Sequence, residues 1–159
     1  MMEYRNDSVR RQDRLLDEVR ARELLRGCEY GFLAMASDEG GYGIPVNYVA
    51  EGDTIYIHCA PEGRKLRAIA ADARVSFCVV GVTRPVPEKF TTAYESIVVS
   101  GRARVVVSDD ERRHALKLLV GKYAPDYAAV GEKYIDKSFH RTAVIAIDAE
   151  WWSGKTKRV

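Results

Sequence analysis

YGFLAMAS (residues 30–37), DEGG (38–41), YGIPVNYVA (42–50), EGD (51–53) and TIYIHCA (54–60) follow one another without interruption. The first run is mostly apolar and ends in a turn. In the second, Ile44, Val46 and Tyr48 alternate with Pro45, Asn47 and Val49, the period of a strand. The third alternates again, with Ile55, Ile57 and Cys59 opposed to Tyr56 and His58. Glu51-Gly52-Asp53 is a tight hairpin connection. Turns this short permit only antiparallel pairing, because a parallel crossover takes about a dozen residues or more.

The pattern continues outward from this meander. Upstream, Asp17 to Arg26 is rich in helix formers and stops at Gly27; residues 1–14 form a polar, basic arm. Downstream, Leu66, Ile69 and Ala70 predict a short helix over 66–71. A fourth strand follows at 74–82, then a loop over 83–94 marked by Pro85 and Pro87. The fifth strand spans 95–107, with Gly101 as a bulge or bend. Ser108-Asp109-Asp110-Glu111 is a capping box. The helix behind it carries Leu116, Leu119, Val120 and Tyr123 on one stripe and breaks at Pro125. Residues 126–140 hold a second short helix and a loop, Thr142 to Trp151 is the sixth strand, and 153–159 is a basic, exposed tail. Six antiparallel strands with inserted helices predict a mainly β (α+β) domain over 1–159, a small barrel with peripheral helices. No strand–GxGxxG–helix unit and no P-loop occurs, which argues against a dinucleotide or nucleoside-triphosphate fold.

The 159 residues are enough for one domain with its own core. Hydrophobic residues make up 47% and charged residues 30%, which excludes a disordered or collagen-like chain. Twenty-five basic side chains against 23 acidic ones leave a net charge of +2. That balance argues against nucleic acid as a partner. No apolar run is long enough to span a membrane, and no signal segment is expected. Cys28, Cys59 and Cys78 are odd in number and form no CxxC pair, so a reducing cytoplasm is the expected compartment and no metal is expected.

The chemistry concentrates at His58-Cys59-Ala60-Pro61-Glu62-Gly63-Arg64-Lys65, where a strand gives way to a helix. A helix start offers free N–H groups and the positive end of the dipole, a natural seat for an anion. Cations there oppose the dipole, so Arg64 and Lys65 fit either a solvated pair or a phosphate site. His58 fits either a satisfied strand histidine or a ligand contact. His114 and His140 show no metal-ligand spacing, and no nucleophile elbow is present. Trp151 and Trp152 point to opposite faces of their strand, so at most one is in the core.

Taken together, GFLA (31–34), GIPVNY (43–48), IYIHCAPEGRK (55–65) and YESIVVSG (94–101) resemble the nitroimidazole-resistance (Nim) branch of the pyridoxamine 5′-phosphate oxidase-like flavoproteins. The resemblance covers roughly residues 8–155. It implies a split β-barrel, a homodimer, and FMN at the dimer interface. It implies that Pro45, Val46, Asn47 and Tyr48 lie along the flavin, mostly through backbone groups, and that Arg64 and Lys65 hold its phosphate. His58 and Cys59 would sit beside the ribityl chain or ring. Ser96 would reach the flavin across the interface, as would Trp151 or Trp152. The expected activity is an FMN-dependent reductase taking electrons from a nicotinamide donor to a small acceptor such as a nitroaromatic, with His58 or Tyr94 as candidate proton donors. The alternatives are a non-enzymatic flavin-binding or sensing protein and a haem-binding protein of the same architecture. The chain ends Lys155-Thr156-Lys157-Arg158-Val159 and lacks the arginine-rich motif of the true pyridoxamine phosphate oxidases, which argues against that substrate.

Overall fold

The computed structural model describes residues 1–159. In chain order the elements are β1 (Glu3–Tyr4), α1 (Glu18–Gly27), β2 (Tyr30–Ser37), β3 (Gly40–Asn47), β4 (Val49–Glu51) and β5 (Thr54–Cys59). Then come α2 (Arg64–Ala71), β6 (Arg74–Val86), β7 (Thr91–Val105), α3 (Asp109–Tyr123), α4 (Ala128–Ser138) and β8 (Ala143–Lys157). No helix is long and apolar enough to cross a membrane.

The strands form one sheet in the order β3-β2-β6-β7-β8-β5-β4, and β1 adds a parallel rung to β8. The six-stranded barrel expected from the sequence is therefore corrected on two counts. There are eight strands, and the sheet is not closed into a barrel: no ladder joins β3 to β4. The run 42–50 that alternates as one strand breaks at Tyr48, which alone connects the two ends of the sheet. Pro45 explains part of this, because proline cannot donate to a second ladder and so keeps β3 at an edge.

Backbone pairing also extends beyond what side-chain polarity suggests. The expected 83–94 loop is mostly a hairpin, with Thr83 to Val86 of β6 paired to Thr91 to Tyr94 of β7. Past Cys78 β6 has lost β2 as a neighbour, and such an edge tolerates Pro85. Ser153 to Lys157, expected as a free tail, are the last rungs of β8 against β7. The arm is tied down as well: Met2 is buried and β1 lies beside Trp151 and Trp152.

The main core fills one side of the sheet. Leu33, Phe77, Val79, Val99, Ile145 and Trp152 are fully enclosed there, with Leu24 and Leu25 of α1. A second, smaller core lies on the other side of β5 and β8, where Tyr56, Val144 and Ala146 meet Leu116 and Leu119 of α3 and Ile135 of α4. These two strands are thus covered on both faces, which is why TAVIAI (142–147) reads as an unbroken apolar run. The helices begin as their caps dictate. Asp17 accepts from the N–H groups of Val19 and Arg20, and Ser108 from that of Glu111.

Gly101 does mark a bulge. The β7–β8 register slips there, leaving Glu150 without a partner. A Cβ on Gly101 would lie 2.3 Å from the Asp148 carbonyl oxygen. The slip reverses the facing of β8, so Ile145 and Ile147 point inward before it and Trp152 after it.

Candidate functional site

The turn between β5 and α2 delivers the basic pair. Gly63 precedes α2 with φ 152° and ψ 173°, in a region that favours glycine, and no side chain caps the helix. Arg64 lies with its guanidinium 4.2 Å from the ring centre of Tyr42 and its Nε 3.3 Å from Oε2 of Glu39. That contact is an ion pair but not a hydrogen bond, and Arg64 Nε is buried with no hydrogen-bond partner. Lys65 forms neither an ion pair nor a hydrogen bond. No spacing in the sequence signals that the β2–β3 hairpin, through Glu39 and Tyr42, reaches this helix start.

Two surfaces meet at Asn47, and the second of them reaches this turn at Ala60. One is a shallow groove formed by Pro45, Val46 and Asn47 with Tyr30 and Phe32. The other is a cavity of about 550 Å³ between the end of β5 and the α3–α4 pair. Asn47, His58, Cys59 and Ala60 form its β-side. His58 is open to solvent on one side, yet desolvation by these walls still pushes its imidazole below the ordinary pKa, favouring the neutral form. Burial pushes the Cys59 thiol up, only partly offset by the Lys65 charge, so Cys59 is protonated at neutral pH and is no nucleophile.

Tyr48 is different from its three neighbours. Its side chain is fully buried, with the hydroxyl donating to the Leu25 carbonyl at 2.6 Å. Its backbone is also spent. The N–H donates to the Tyr123 hydroxyl at 2.9 Å, and the carbonyl accepts from Lys122 Nζ at 2.9 Å. The end of α3 thus seals the seam between β3 and β4, and Tyr48 has nothing left for a ligand. Lys122 was not singled out in the sequence, although it falls on the apolar stripe of α3, three residues after Leu119.

Ser96, Tyr94 and Trp151 lie elsewhere. Ser96 sits between Val80 and Lys155, and Tyr94 between Thr83 and Lys157, while Trp151 is opposite Ser100. Trp152 is wholly buried, edge-on to Tyr4 at 4.8 Å, with its Nε1 unpartnered. The bulge at Glu150 sets this choice between the tryptophans. His58 pairs with Val144 and Ser96 with Lys155. Along β8 those partners are separated by a contour of roughly 36 Å at the usual strand rise. Ser96 lines neither the groove nor the cavity.

The outward face of the β2–β6–β7 sheet has no helix over it. Tyr30, Phe32, Val80 and Val98 lie there, between 37% and 51% exposed. Cys78 stands among them, paired with Phe32 and Val98.

The sequence profile of the pyridoxamine 5′-phosphate oxidase family matches residues 17–156. No curated protein matches the chain. Among solved structures, a putative 5-nitroimidazole antibiotic resistance protein from Bacteroides thetaiotaomicron superposes with a TM-score of 0.76 at 23% identity, over 89% of this chain and 85% of that one. A FAD and heme binding protein from Mycobacterium smegmatis gives 0.77 at 22% identity, over 90% and 72%. The flavocytochrome Anf3 from Azotobacter vinelandii gives 0.73 at 17% identity, over 90% and 68%.

Proposed function

The chain belongs to the pyridoxamine 5′-phosphate oxidase family, and from that premise we propose that it is an FMN-carrying oxidoreductase that reduces small acceptors such as nitroimidazoles or other nitroaromatics. One observation carries this reading. Arg64 Nε is a buried donor without a hydrogen bond, at an uncapped helix start beside a lysine that has no counter-ion. An unsatisfied buried donor costs about 1–3 kcal/mol, and a phosphate that takes over from Glu39, now 3.3 Å from that Nε, would serve Arg64, Lys65 and the free N–H groups together.

Arg64 and Lys65 hold the phosphate, and the open space beside Gly63 lets it approach the backbone. The flavin ring lies along Pro45, Val46 and Asn47, where the outer edge of β3 carries no further strand. A bound flavin supplies the hydride or electron transfer. His58, neutral at neutral pH, can hold or release a proton at a ring nitrogen beside it, and Cys59 stays a thiol.

The protein acts as a homodimer in this reading. Ser96 and Tyr94 of β7 and Trp151 of β8 line neither the Pro45 groove nor the α3–α4 cavity of their own chain, so in this reading they serve the seat of a second copy. The uncovered apolar face holding Phe32, Cys78 and Val98 supports the same association. The electron donor is a nicotinamide nucleotide.

The test is an absorption spectrum of the purified protein, before and after FMN is added and the excess removed. Retained flavin bands at about one flavin per chain are expected, followed by turnover of a nitroimidazole with a nicotinamide donor. A protein that takes up no flavin overturns the proposal, and a Soret band in its place transfers the site to haem. Bound flavin without turnover by any donor reduces the role to flavin binding or sensing.

A further inference from the structure

The α3–α4 cavity is larger than the flavin assignment uses. Only its β-side, Asn47 and His58 to Ala60, enters that assignment. Its other walls are Leu116, Leu119 and Val120 of α3 and Ile135 of α4, with Arg141 at the mouth. At about 550 Å³ it lies within the range of small-molecule sites.

An inventory of the polar groups narrows what it can take. Ser138 Oγ donates to the Tyr134 carbonyl at 2.8 Å, and Thr142 Oγ1 to the Ser138 carbonyl at 2.9 Å. Tyr123 is committed to the seam at Tyr48. Four groups stay unspent: the Asn47 amide, the His58 imidazole, the Tyr134 hydroxyl and the Arg141 guanidinium make no hydrogen bond or ion pair. No carboxylate lines the cavity, and with His58 neutral Arg141 is its one charge. Apolar walls, one uncompensated cation and two neutral polar groups on the opposite side suit a molecule with an apolar body, a single anionic group and a polar substituent remote from it.

We propose that this cavity is a binding site for small aromatic carboxylates. The carboxylate pairs with Arg141, the ring lies against Leu119 and Ile135, and a polar substituent reaches Asn47 and His58. Because Asn47 also borders the Pro45 groove, the site adjoins the proposed flavin seat and is suited to an acceptor. That role rests on the flavin reading; the binding itself does not.

The probe is 4-nitrobenzoate, titrated by calorimetry into the protein as purified, with the neutral 4-nitrobenzamide as control and FMN titrated separately. The wild type is expected to prefer the carboxylate. Arg141→Gln, at an exposed position, should lose that preference and weaken 4-nitrobenzoate binding about tenfold or more. Ala124→Phe, which fills the cavity from the end of α3, should abolish binding of both compounds. Both variants should keep wild-type FMN affinity, with circular dichroism to verify their folding. If Ala124→Phe fails to fold, Arg141→Gln decides alone. No binding by the wild type, or equal binding by wild type and Arg141→Gln, overturns the proposal. Loss of FMN affinity in a folded Ala124→Phe overturns it too, since the cavity would then be part of the flavin seat. Carboxylate-selective binding in a protein that takes no FMN would leave this site standing and remove the flavin reading instead.

Discussion

The protein sets cations at two helix ends, and the two are built in opposite senses. At the start of α2, Arg64 and Lys65 face the positive end of the dipole, with one donor orphaned and one ammonium unpaired. At the end of α3, Lys122 sits where the dipole favours a cation. Its Nζ donates to the carbonyls of Cys28 at 2.8 Å and Tyr48 at 2.9 Å, and it lies 3.8 Å from the Tyr48 ring centre. Lys122 satisfies carbonyls within the chain and holds the open seam of the sheet. Arg64 and Lys65 satisfy little and gain their full partners only from outside. Sequence spacing alone does not separate a ligand cation from a structural one; the count of unspent hydrogen-bond donors does.

The largest expected effect tests the unspent pair. In Arg64→Ala/Lys65→Ala, FMN affinity should fall at least about 100-fold, since each charge-assisted contact contributes roughly 1.5–3 kcal/mol. The melting temperature of the FMN-free protein should stay within about 2 °C of wild type. A double variant that binds FMN normally would place the phosphate elsewhere and end the contrast.

The spent cation should behave in reverse. Lys122→Met removes the ammonium donor from the Cys28 and Tyr48 carbonyls, of which the second keeps the Tyr123 hydroxyl at 2.9 Å. It should destabilise the fold by about 2–3 kcal/mol, or roughly 5–10 °C in thermal melting. FMN affinity should change less than about threefold. A stable Lys122→Met protein that has lost FMN would turn Lys122 into a ligand residue.

The tryptophans repeat the distinction at a smaller scale. Trp152 is enclosed against Tyr4, with the Arg22 guanidinium 5.1 Å from its ring centre, whereas Trp151 faces outward beside Ser100. Trp152→Phe should cost about 1–2 kcal/mol, because it leaves a gap but also removes the orphaned Nε1. Trp151→Phe should cost less than about 0.5 kcal/mol and instead relieve quenching of bound flavin fluorescence. Equal stability losses would mean that the Glu150 bulge does not set the facing as described.

That bulge also marks the limit of what local sequence encodes. The alternation in 30–60 is strict enough to set strands, turns and antiparallel pairing, and the Ser108 capping box places a helix start. Those features are local. Which tryptophan enters the core depends on a one-residue slip at Gly101 and Glu150, and parity counted from Ile145 would have chosen Trp151. The rungs at 83–86 and 153–157 depend on a neighbouring strand rather than on apolar side chains, so prolines and lysines concealed them. At the site, the helix-start cations were visible in the order of residues. The contact from Glu39 and Tyr42, the cavity wall of Leu116, Leu119 and Ile135, and the expenditure of Tyr48 on Lys122 and Tyr123 are all long-range, and no spacing encodes them.

The smallest effect concerns His58, which stands between the two kinds of group: unbonded like Lys65, yet set in a wall of the fold. Burial disfavours its charged form, so its folded pKa lies below its unfolded value near 6.5. Above that value the ring is neutral in both states and contributes no pH dependence. As pH falls through it, the unfolded chain takes up the proton more readily and stability drops. The wild type should therefore lose slightly more thermal stability between pH 7.5 and pH 5.5 than His58→Gln, by less than about 2 °C because the ring is partly open to solvent. Adding FMN sharpens the comparison. A flavin beside His58 shields the imidazole further and should widen the difference between the two proteins, whereas a flavin bound elsewhere leaves it unchanged. An acid sensitivity identical in both proteins, with and without FMN, would remove His58 from the site and leave Arg64 and Lys65 as the part of the cofactor seat still resting on unspent donors.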